Sequence, residues 1–272
     1  QNLDPTPNTL TVNVTPVNDA PLGADKTIGL NEDIAYVFNA NDFGFSDPSD
    51  AKPPSTLASD PNSLLQVKIT ALPASGSLTN NGVAVPLNGF VTLAAINAGQ
   101  LRFTPAANAS GSATINFRVQ DTGGTANNGV DLSVADNTLT MTVTAVNDPP
   151  VGSNKTINPA LDATLLEDGK YTFAPSDFVA LGAGLQLTAT SDPNDSPANN
   201  LANVRIASLP NNGVLLLNNN AVGLGQFVSA ANIQAGQLVF VPNANANGSA
   251  YASFTFQVQD DGGTALGGID LD

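Results

Sequence analysis

Polar and apolar residues alternate in Thr114-Ile115-Asn116-Phe117-Arg118-Val119-Gln120-Asp121, and Gly123-Gly124-Thr125 follows closely. The pattern returns as Ser253-Phe254-Thr255-Phe256-Gln257-Val258-Gln259-Asp260 with Gly262-Gly263-Thr264, 139 positions later (256 − 117). Because successive side chains of a β-strand point to opposite faces, a period of two predicts a strand with one buried face. The recurrence indicates that one structural unit occurs twice in the chain.

Two further pairs of passages recur at nearly the same distance. Ile69-Thr70-Ala71-Leu72-Pro73 matches Ile206-Ala207-Ser208-Leu209-Pro210, and Leu101-Arg102-Phe103-Thr104-Pro105 matches Leu238-Val239-Phe240-Val241-Pro242 (206 − 69 = 238 − 101 = 137). Short strands separated by Asn-Gly and Gly-Gly turns are typical of two-sheet sandwiches. We therefore expect an all-β fold of two tandem immunoglobulin/cadherin-like β-sandwich repeats.

A proline-containing linker marks the repeat boundaries. Pro16-Val17-Asn18-Asp19-Ala20-Pro21 recurs as Ala145-Val146-Asn147-Asp148-Pro149-Pro150. Prolines remove backbone donors and stiffen the chain, so the linker is expected to be short and semi-rigid. We expect residues 18–146 to form repeat 1, residues 147–272 to form repeat 2 without its last strand, and residues 1–17 to supply the last strand of a preceding repeat.

The expected last strand of repeat 1 has a counterpart near the start of the chain. Thr138-Leu139-Thr140-Met141-Thr142-Val143-Thr144 alternates as a strand, and Thr9-Leu10-Thr11-Val12-Asn13-Val14-Thr15 has the same pattern. Unpaired sheet edges accept strands from other chains. We expect residues 8–15 to form a strand, either in the open edge of repeat 2 of a neighbouring molecule or in a preceding unit. The strand-exchange residues would be Leu10, Val12 and Val14.

Two smaller predictions concern the interior of each repeat. The inward strand positions predict aromatic core residues. These residues are Phe103, Phe117, Phe240 and Phe256. Residues 94–100 and 230–237 are each expected to form a single helical turn.

Composition excludes several functions. With 8 Lys+Arg against 23 Asp+Glu and a formal charge of −15, we expect no nucleic acid partner and no membrane insertion, and we expect cations to bind instead. The chain contains neither Cys nor His, which excludes disulfides, thiolate nucleophiles, zinc, haem and Ser-His-Asp chemistry. We expect no enzyme, although composition leaves a carboxylate-only glycosidase open. The absence of Trp and the presence of only three Tyr disfavour a carbohydrate-binding module.

Acidic residues recur at matching positions. The chain has only two Glu, Glu32 and Glu167, which lie 135 apart (167 − 32), and an Asp follows each of them. Glu is a poor turn former, so these two favour a cation site. Carboxylates from several loops suit Ca²⁺, which takes about 6–8 oxygen ligands, better than Mg²⁺. The matching acidic candidates are Asp19, Glu32, Asp33, Asp47, Asp50, Asp121, Asp148, Glu167, Asp168, Asp192, Asp195 and Asp260.

The alternative is that these Asp residues close turns by accepting hydrogen bonds from nearby backbone N–H groups. Both interpretations stay open for Asp19, Asp47, Asp121 and their matches in the second repeat. Turn formation is the preferred interpretation for four other residues. These are Asp25, Asp60, Asp136 and Asp162.

The chain resembles the cadherin-like, immunoglobulin-like repeats of giant bacterial surface adhesins, including the RTX type. The resemblance rests on the Val-Asn-Asp-Ala-Pro linker, the early Glu-Asp, Phe-Thr-Pro-Ala-Ala-Asn and Phe-Arg-Val-Gln-Asp-Thr-Gly-Gly-Thr. It implies β-sandwich extenders rigidified by Ca²⁺ at domain junctions. The junction ligands it implies are Glu32, Glu167, Asp121, Asp260, Asn18, Asp19, Asn147 and Asp148. The chain lacks the full Asp-X-Asn-Asp-Asn linker of animal cadherins, so fewer than three ions are expected at each junction.

The leading functional hypothesis is a non-enzymatic structural extender in a large exported adhesin at the bacterial cell surface. Its partners would be neighbouring repeats of the same chain or copies of itself. The alternative is a self-assembling surface filament or sheath subunit in which strands are exchanged between molecules. The two hypotheses differ in the natural chain length that they expect: a stalk needs many further repeats, whereas a filament subunit needs only a short precursor.

Overall fold

The computed structural model describes Thr6 and residues 8–50, 62–157 and 165–272. The chain forms two compact units, Gln1–Thr144 (unit 1) and Ala145–Asp272 (unit 2), where we predicted a boundary between residues 146 and 147. Thr6 and residues 8–17 fall within unit 1. The assignment of residues 1–17 to a preceding repeat stays a prediction. None of the described helices is long and apolar enough to cross a membrane.

The regular elements described in unit 1 are nine strands and one short α-helix, together with the 3₁₀-helices Ala40–Phe43 and Ala126–Asn128. In chain order its elements are β1 (Lys26–Asn31), β2 (Tyr36–Val37), β3 (Leu64–Ala71), β4 (Ser77–Asn80), β5 (Val83–Ala84), β6 (Phe90–Thr92), α1 (Leu93–Asn97), β7 (Leu101–Thr104), β8 (Gly111–Asp121) and β9 (Asn137–Thr144).

These strands form two sheets that enclose the core of unit 1. One sheet has the order β1-β9-β8-β3-β6, and the other has the order β2-β7-β4-β5. All neighbours pair antiparallel except β1 and β9, which run parallel with Lys26 opposite Leu139. The alternating pattern behaves as predicted, because Ile115, Phe117 and Val119 of β8 are fully buried. The all-β, immunoglobulin-like sandwich is confirmed.

Unit 2 repeats most of this arrangement. Its elements are β10 (Tyr171–Thr172), β11 (Leu201–Ile206), β12 (Val214–Leu217), β13 (Asn220–Ala221), β14 (Phe227–Ser229), α2 (Ala230–Gln234), β15 (Leu238–Val241) and β16 (Phe256–Asp260). The sheet β10-β15-β12-β13 corresponds to β2-β7-β4-β5. The other sheet, β14-β11-β16, corresponds to β6-β3-β8. The predicted single helical turns are confirmed as α1 and α2.

The described part of unit 2 has no counterpart of β9 or β1. As a consequence β16 begins at Phe256, whereas β8 begins at Gly111, the position that matches residue 250. The prediction of a strand over residues 253–259 is therefore wrong for residues 253–255. In unit 1 the matching residues pair with β9, and here no described strand offers them hydrogen bonds.

The aromatic core residues of the two units differ in burial. Phe103, Phe117 and Phe240 are buried as predicted, but Phe256 is only partly buried. Its ring packs edge-on against Phe178 with centroids 5.0 Å apart, as Phe117 packs against another phenylalanine in unit 1. Phe256 remains partly exposed because nothing in the described chain covers the side of the core that β9 covers in unit 1.

Residues 8–15 do not form the predicted strand in the isolated chain. No regular secondary structure is assigned from residue 8 to residue 20. Leu10, Val12 and Val14 are 89%, 74% and 78% exposed. A strand needs a neighbour for its backbone groups, and no described strand of this chain lies beside the segment. Pairing with another molecule stays a prediction.

Candidate cation sites

Separate loops of unit 1 meet at the end of the sandwich where β8 finishes. Asp121 is the last residue of β8 and lies opposite Leu64 at the start of β3. The other residues come from the linker, from the loop after the 3₁₀-helix Ala40–Phe43, and from the position just before β3. We call the group site 1, and its members are Asn18, Asp19, Asp47, Asp50, Asn62 and Asp121.

The linker is fastened to unit 1 through Asn18. Its Nδ2 donates to Asp121 Oδ1 at 3.1 Å and to the Val130 carbonyl at 2.9 Å, and the Val130 N–H donates back to the Asn18 carbonyl at 2.9 Å. The Asp19 N–H donates to Asp50 Oδ2 at 3.2 Å. The linker residues are thus held against the unit that they enter.

Asn62 joins the remaining side chains of site 1. Its N–H donates to Asp47 Oδ2 at 3.2 Å, and its Nδ2 donates to Asp50 Oδ2 at 3.1 Å and to Asn18 Oδ1. Asn62 was not among the sequence candidates, because those were acidic residues and linker asparagines that match between the repeats. The signal that could have found it is its match with Asn199, which keeps the 137-residue spacing of the strand that follows (199 − 62).

Two carboxylate oxygens of site 1 have no donor. Asp47 Oδ1 and Asp121 Oδ2 are buried and accept no hydrogen bond from the described residues. Asp121 is only 1% exposed, and neither residue forms an ion pair with a described Lys or Arg. A buried acceptor without a partner costs about 1–3 kcal/mol, and more when it is charged. A cation between the carboxylates would remove that cost.

The raised pKa values of two carboxyl groups in site 1 also favour a bound cation. Burial raises the pKa of Asp121 above its usual value and outweighs the hydrogen bonds from Gly123 and Asn18 that lower it. Burial also raises the pKa of Asp47, and the neighbouring charge of Asp50 raises it further. Burial makes the ionised form of these carboxylates less favourable, and a bound cation would stabilise that form.

Unit 2 contains the same constellation, which we call site 2. Asn147 Nδ2 donates to Asp260 Oδ1 at 3.1 Å, and the Asp148 N–H donates to Asp195 Oδ2 at 3.0 Å. Asn199 donates through its N–H to Asp192 Oδ2 at 2.6 Å and through Nδ2 to Asn147 Oδ1 at 2.5 Å. The members of site 2 are Asn147, Asp148, Asp192, Asp195, Asn199 and Asp260.

Site 2 also has buried oxygens without donors. Asp192 Oδ1 and Asp260 Oδ2 accept no hydrogen bond within the described part of the chain. Burial, together with the charges of Asp192 and Asp195, raises the pKa of Asp260 to about 6, although the Gly262 N–H and Asn147 lower it. The matching oxygens are therefore unpartnered in both units.

The linker asparagines require the first glycine of each Gly-Gly-Thr. A Cβ on Gly123 would lie 1.8 Å from Asn18 Oδ1, and a Cβ on Gly262 would lie 1.7 Å from Asn147 Oδ1. Each of these glycines also donates its N–H to the Asp two residues before it: Gly123 to Asp121 Oδ1 at 2.8 Å and Gly262 to Asp260 Oδ1 at 3.0 Å. No other residue fits at either position without displacing the Asn.

Carboxylates alone do not complete a metal site. Across residues 8–50, 62–157 and 165–272, no group of three or more acidic side chains is arranged to hold a metal ion. A cation at site 1 or site 2 would need Asn amide or backbone carbonyl oxygens among its ligands. Ca²⁺ accepts that mixture of ligands.

The structure does not bring Glu32 and Asp33 to site 1. The Glu32 N–H donates to the carbonyl of Thr144, the last residue of β9, at 2.9 Å. That end of β9 pairs with the start of β8, whereas Asp121 ends β8, and an 11-residue strand spans roughly 30 Å. Asp33 Oδ1 accepts from the Asn108 N–H at 3.5 Å. Glu32 and Asp33 therefore lie at the opposite end of unit 1.

Glu167 and Asp168 also have partners outside site 2. Glu167 Oε2 accepts from Asn247 Nδ2 at 2.7 Å, and Asp168 Oδ1 accepts from the Asn245 N–H at 3.3 Å. Glu167 is exposed whereas Glu32 is buried, so matching sequence positions have different environments. A role for these Glu residues as junction ligands stays a prediction.

Other matching acids have structural partners. Asp42, at 0% exposure, accepts from Lys26 Nζ at 2.7 Å, from the Asn39 N–H at 2.8 Å and from the Tyr36 hydroxyl. Asp177 repeats this arrangement in unit 2. These two residues are anchors of the fold.

The four Asp residues interpreted as turn formers lie outside sites 1 and 2 where the structure describes them. Asp25 Oδ1 accepts from the Thr138 N–H at 2.7 Å, and Asp136 pairs with Arg118 at 2.5 Å. Asp60 and Asp162 lie outside the described residues. Asp25 and Asp136 therefore have structural partners on β9 and β8, and they do not belong to either candidate cation site.

Comparison with known proteins places these sites in a family context. Residues 18–133 match the family described as bacterial Ig domain. A search of curated proteins found no match. Among solved structures, the chain is similar to an endo-fucoidan hydrolase of glycoside hydrolase family 107 at 16% identity, with a TM-score of 0.28, and the match covers 91% of this chain and 28% of that one. The family match lies within unit 1, and the strands of unit 2 repeat most of those of unit 1.

Proposed function

We propose that the chain is a non-enzymatic extender segment of a large exported bacterial adhesin of the RTX type, and that Ca²⁺ binds at sites 1 and 2. Bacterial Ig-like domains are typically non-catalytic and commonly occur in extracellular or surface proteins. The observation that carries the calcium proposal is the pair of buried carboxylate oxygens without donors, which occurs at the same place in both units.

The charge of the protein supports a cation as the ligand. The formal charge is −15, and the buried acids of site 1 face one another without a described Lys or Arg between them. The available ligand atoms are all oxygens, which is the donor set that Ca²⁺ prefers. Mg²⁺ demands a near-ideal octahedron and suits a multi-loop site less well.

Calcium at these sites would stiffen the linkers. Asn147 and Asp148 already bond to Asp260 and Asp195, and an ion shared by the same side chains would hold the linker more firmly. Fewer linker residues would then remain free to rotate between units. A stalk needs this property if it is to hold an adhesive domain away from the cell.

We expect calcium to narrow the range of end-to-end distances of the chain. Small-angle X-ray scattering with millimolar calcium should give a narrower distance distribution than scattering with a chelator, because an ordered linker restricts rotation. Asp260→Asn should keep the broad distribution in both conditions. Identical wild-type distributions in the two conditions would contradict the stiffening role.

The same measurement tests the role predicted for Glu32. If Glu32 is a junction ligand, Glu32→Gln will weaken calcium binding in titration calorimetry and broaden the calcium-bound distribution, because Gln loses the charge and the bidentate option. Glu167→Gln should have the same two effects, because the same role is predicted for Glu167. Wild-type affinity and scattering in Glu32→Gln would contradict a ligand role for Glu32.

We also expect a pH dependence that comes from Asp260. Because its pKa rises from 3.8 to about 6 on folding, Asp260 stabilises the calcium-free protein at low pH, and this contribution is lost as pH rises through about 6. The full shift corresponds to an energy on the order of 3 kcal/mol. In chelator, the free energy of unfolding of the wild type minus that of Asp260→Asn should fall between pH 4 and pH 7. A flat difference would contradict the raised pKa.

The alternative function, a subunit of a self-assembling surface filament, has one observation in its favour. In the described part of unit 2, residues 250–256 have no strand beside them where β9 covers the matching part of β8 in unit 1, whereas the rest of β16 pairs with residues 270–272. Residues 8–15 carry the matching strand pattern and are exposed. A filament and a stalk are distinguished by whether copies of this chain pair with one another.

A further inference from the structure

Two asparagines join two acids of site 1 in one chain of hydrogen bonds. Asn62 donates its N–H to Asp47 Oδ2 at 3.2 Å and its Nδ2 to Asn18 Oδ1. Asn18 in turn donates its Nδ2 to Asp121 Oδ1 at 3.1 Å. The order is therefore Asp, Asn, Asn, Asp, and the third member belongs to the linker. We call this set of four residues the amide chain.

Unit 2 contains the same amide chain. Asn199 donates its N–H to Asp192 Oδ2 at 2.6 Å and its Nδ2 to Asn147 Oδ1 at 2.5 Å. Asn147 donates its Nδ2 to Asp260 Oδ1 at 3.1 Å. The first acid and the first asparagine are 15 positions apart in unit 1 (62 − 47) but only seven apart in unit 2 (199 − 192). The same donors and acceptors thus recur although the loops between them differ in length.

The bond between the two asparagines of each amide chain is enclosed by a glycine. A Cβ on Gly262 would lie 1.7 Å from Asn147 Oδ1 and 2.7 Å from Asn199 Nδ2. The matching distances for a Cβ on Gly123 are 1.8 Å and 2.5 Å. Both amides therefore pack directly against the backbone that follows the second acid, and this packing restricts their rotation.

Each acid at an end of an amide chain has one buried oxygen without a donor in the described chain. In site 2 these oxygens are Asp192 Oδ1 and Asp260 Oδ2, and the two residues are 1% and 2% exposed. Burial raises the pKa of Asp260, and the charge of Asp192 raises it further, so the two acids are close enough to repel each other. A Ca²⁺ ion bound to both oxygens would replace this repulsion by attraction and close the amide chain into a ring.

We propose that one Ca²⁺ ion at each site bridges the two end acids, and that Asn62 and Asn199 are positioning residues that hold those acids at the separation the ion needs. They act through the linker asparagine, because the amide chain passes through it. The proposal rests on the calcium binding proposed above and adds the residues that control its affinity. The remaining ligands would be amide oxygens, backbone carbonyls or water, all of which Ca²⁺ accepts.

Calorimetric titration of Asn199→Ala with calcium tests the positioning role. Full-length protein that carries Asp121→Asn is used throughout, so that the heat reports on site 2. We expect Asn199→Ala to weaken calcium binding about 10–100-fold, the usual effect of losing a residue that orients metal ligands. The matching experiment, Asn62→Ala in protein that carries Asp260→Asn, should give the same result for site 1.

The neighbouring residue Asn200 provides the matched control. Its Nδ2 donates to Asp261 Oδ2 at 2.9 Å, and Asp261 is exposed and does not belong to site 2. Asn200→Ala therefore removes a similar hydrogen bond but should leave the calcium affinity unchanged. In chelator, the two Ala variants should have similar melting temperatures. A lower melting temperature for Asn199→Ala with an unchanged calcium affinity would make its role purely structural and overturn the proposal.

Asn199→Asp distinguishes a positioning residue from an ion ligand. Asp keeps the size and the main-chain N–H, but it replaces the Nδ2 donor by an oxygen that would face Asn147 Oδ1. We therefore expect Asn199→Asp to bind calcium more weakly than the wild-type residue does. Binding that is equally tight or tighter would make residue 199 a ligand and overturn the positioning role.

A double-mutant cycle tests whether the two asparagines of site 2 act as one chain. Asn147→Ala and Asn199→Ala each break it, so the double variant should bind calcium no more weakly than the weaker of the two single variants. Fold-changes that multiply in the double variant would show that the two residues act independently, and would overturn the amide chain as the means of positioning.

Titration of the unsubstituted chain separates this proposal from the calcium sites themselves. Calcium binding by the wild type, together with equal affinities of Asn199→Ala and Asn200→Ala, would overturn the positioning role and leave the sites in place. A wild type that binds no calcium would overturn both.

Discussion

Calcium is expected to raise the melting temperature of the chain, and Asp121→Asn and Asp260→Asn are each expected to remove the part of that rise that belongs to their own unit. Ion binding to the folded state alone adds about 2.7 kcal/mol per site at a hundredfold excess over Kd. For a domain of this size that corresponds to a rise on the order of 10 °C. Magnesium should produce a smaller rise. Differential scanning calorimetry of the wild type and both variants, each in calcium, magnesium and chelator, measures these changes in melting temperature.

The calcium-free behaviour of the same variants separates a ligand from an ordinary structural acid. In chelator, Asp260→Asn should be at least as stable as the wild type, because it removes a buried charge whose Oδ2 has no donor. The matched control is Asp42→Asn, whose carboxylate accepts bonds from Lys26 and Tyr36. That variant should lose about 2–3 kcal/mol with or without calcium. An Asp260→Asn protein that is destabilised in chelator and retains the calcium response would make Asp260 another structural acid.

Phe117→Ala is expected to destabilise unit 1 by about 3–5 kcal/mol, whereas the matching Phe256→Ala should cost unit 2 clearly less. Phe117 has 0% exposure beneath β9, and its ring contacts Phe43 with centroids 5.1 Å apart. Phe256 is only partly buried at an open apolar groove, so its truncation removes less buried area and its cavity opens to water. Hydrogen exchange of core amides in each unit measures the two losses separately.

A second matched pair controls for differences between the units. Phe90 of β6 and Phe227 of β14 are both 46% exposed at equivalent positions. Their Ala variants should cost similar and smaller amounts, about 1 kcal/mol or less. Equal losses for Phe117→Ala and Phe256→Ala at protein concentrations that keep the chain monomeric would contradict the difference in burial.

Local sequence patterns predicted the fold because alternation is a property of consecutive residues. The period of two over residues 114–120 and 138–144 became β8 and β9, and the duplicated passages became equivalent strands of two sheets. The same pattern over residues 9–15 and 253–255 did not become strand in the isolated chain. Alternation specifies which face a strand buries, but a strand also needs a neighbour to accept its backbone hydrogen bonds.

The candidate sites were predicted in part. Matching positions identified Asp47, Asp121 and their counterparts, because residues that bind one ion recur with the repeat. Recurrence alone does not identify a ligand, because Asp42 also recurs, as Asp177, for a structural reason, and Asn62 was not among the candidates. Sequence matching also grouped Glu32 with Asp121, although these two residues lie at opposite ends of β8.

The sequence by itself determined that the chain is all-β, that it contains two equivalent units, and that its acidic residues recur in fixed positions. Each of these follows from composition or from the order of neighbouring residues. Only the tertiary structure decided which acids converge, which of their oxygens lack a donor, and which edge of unit 2 is open. Those properties depend on the distances between loops that are far apart in sequence, and strand pairing fixes such distances while local patterns do not.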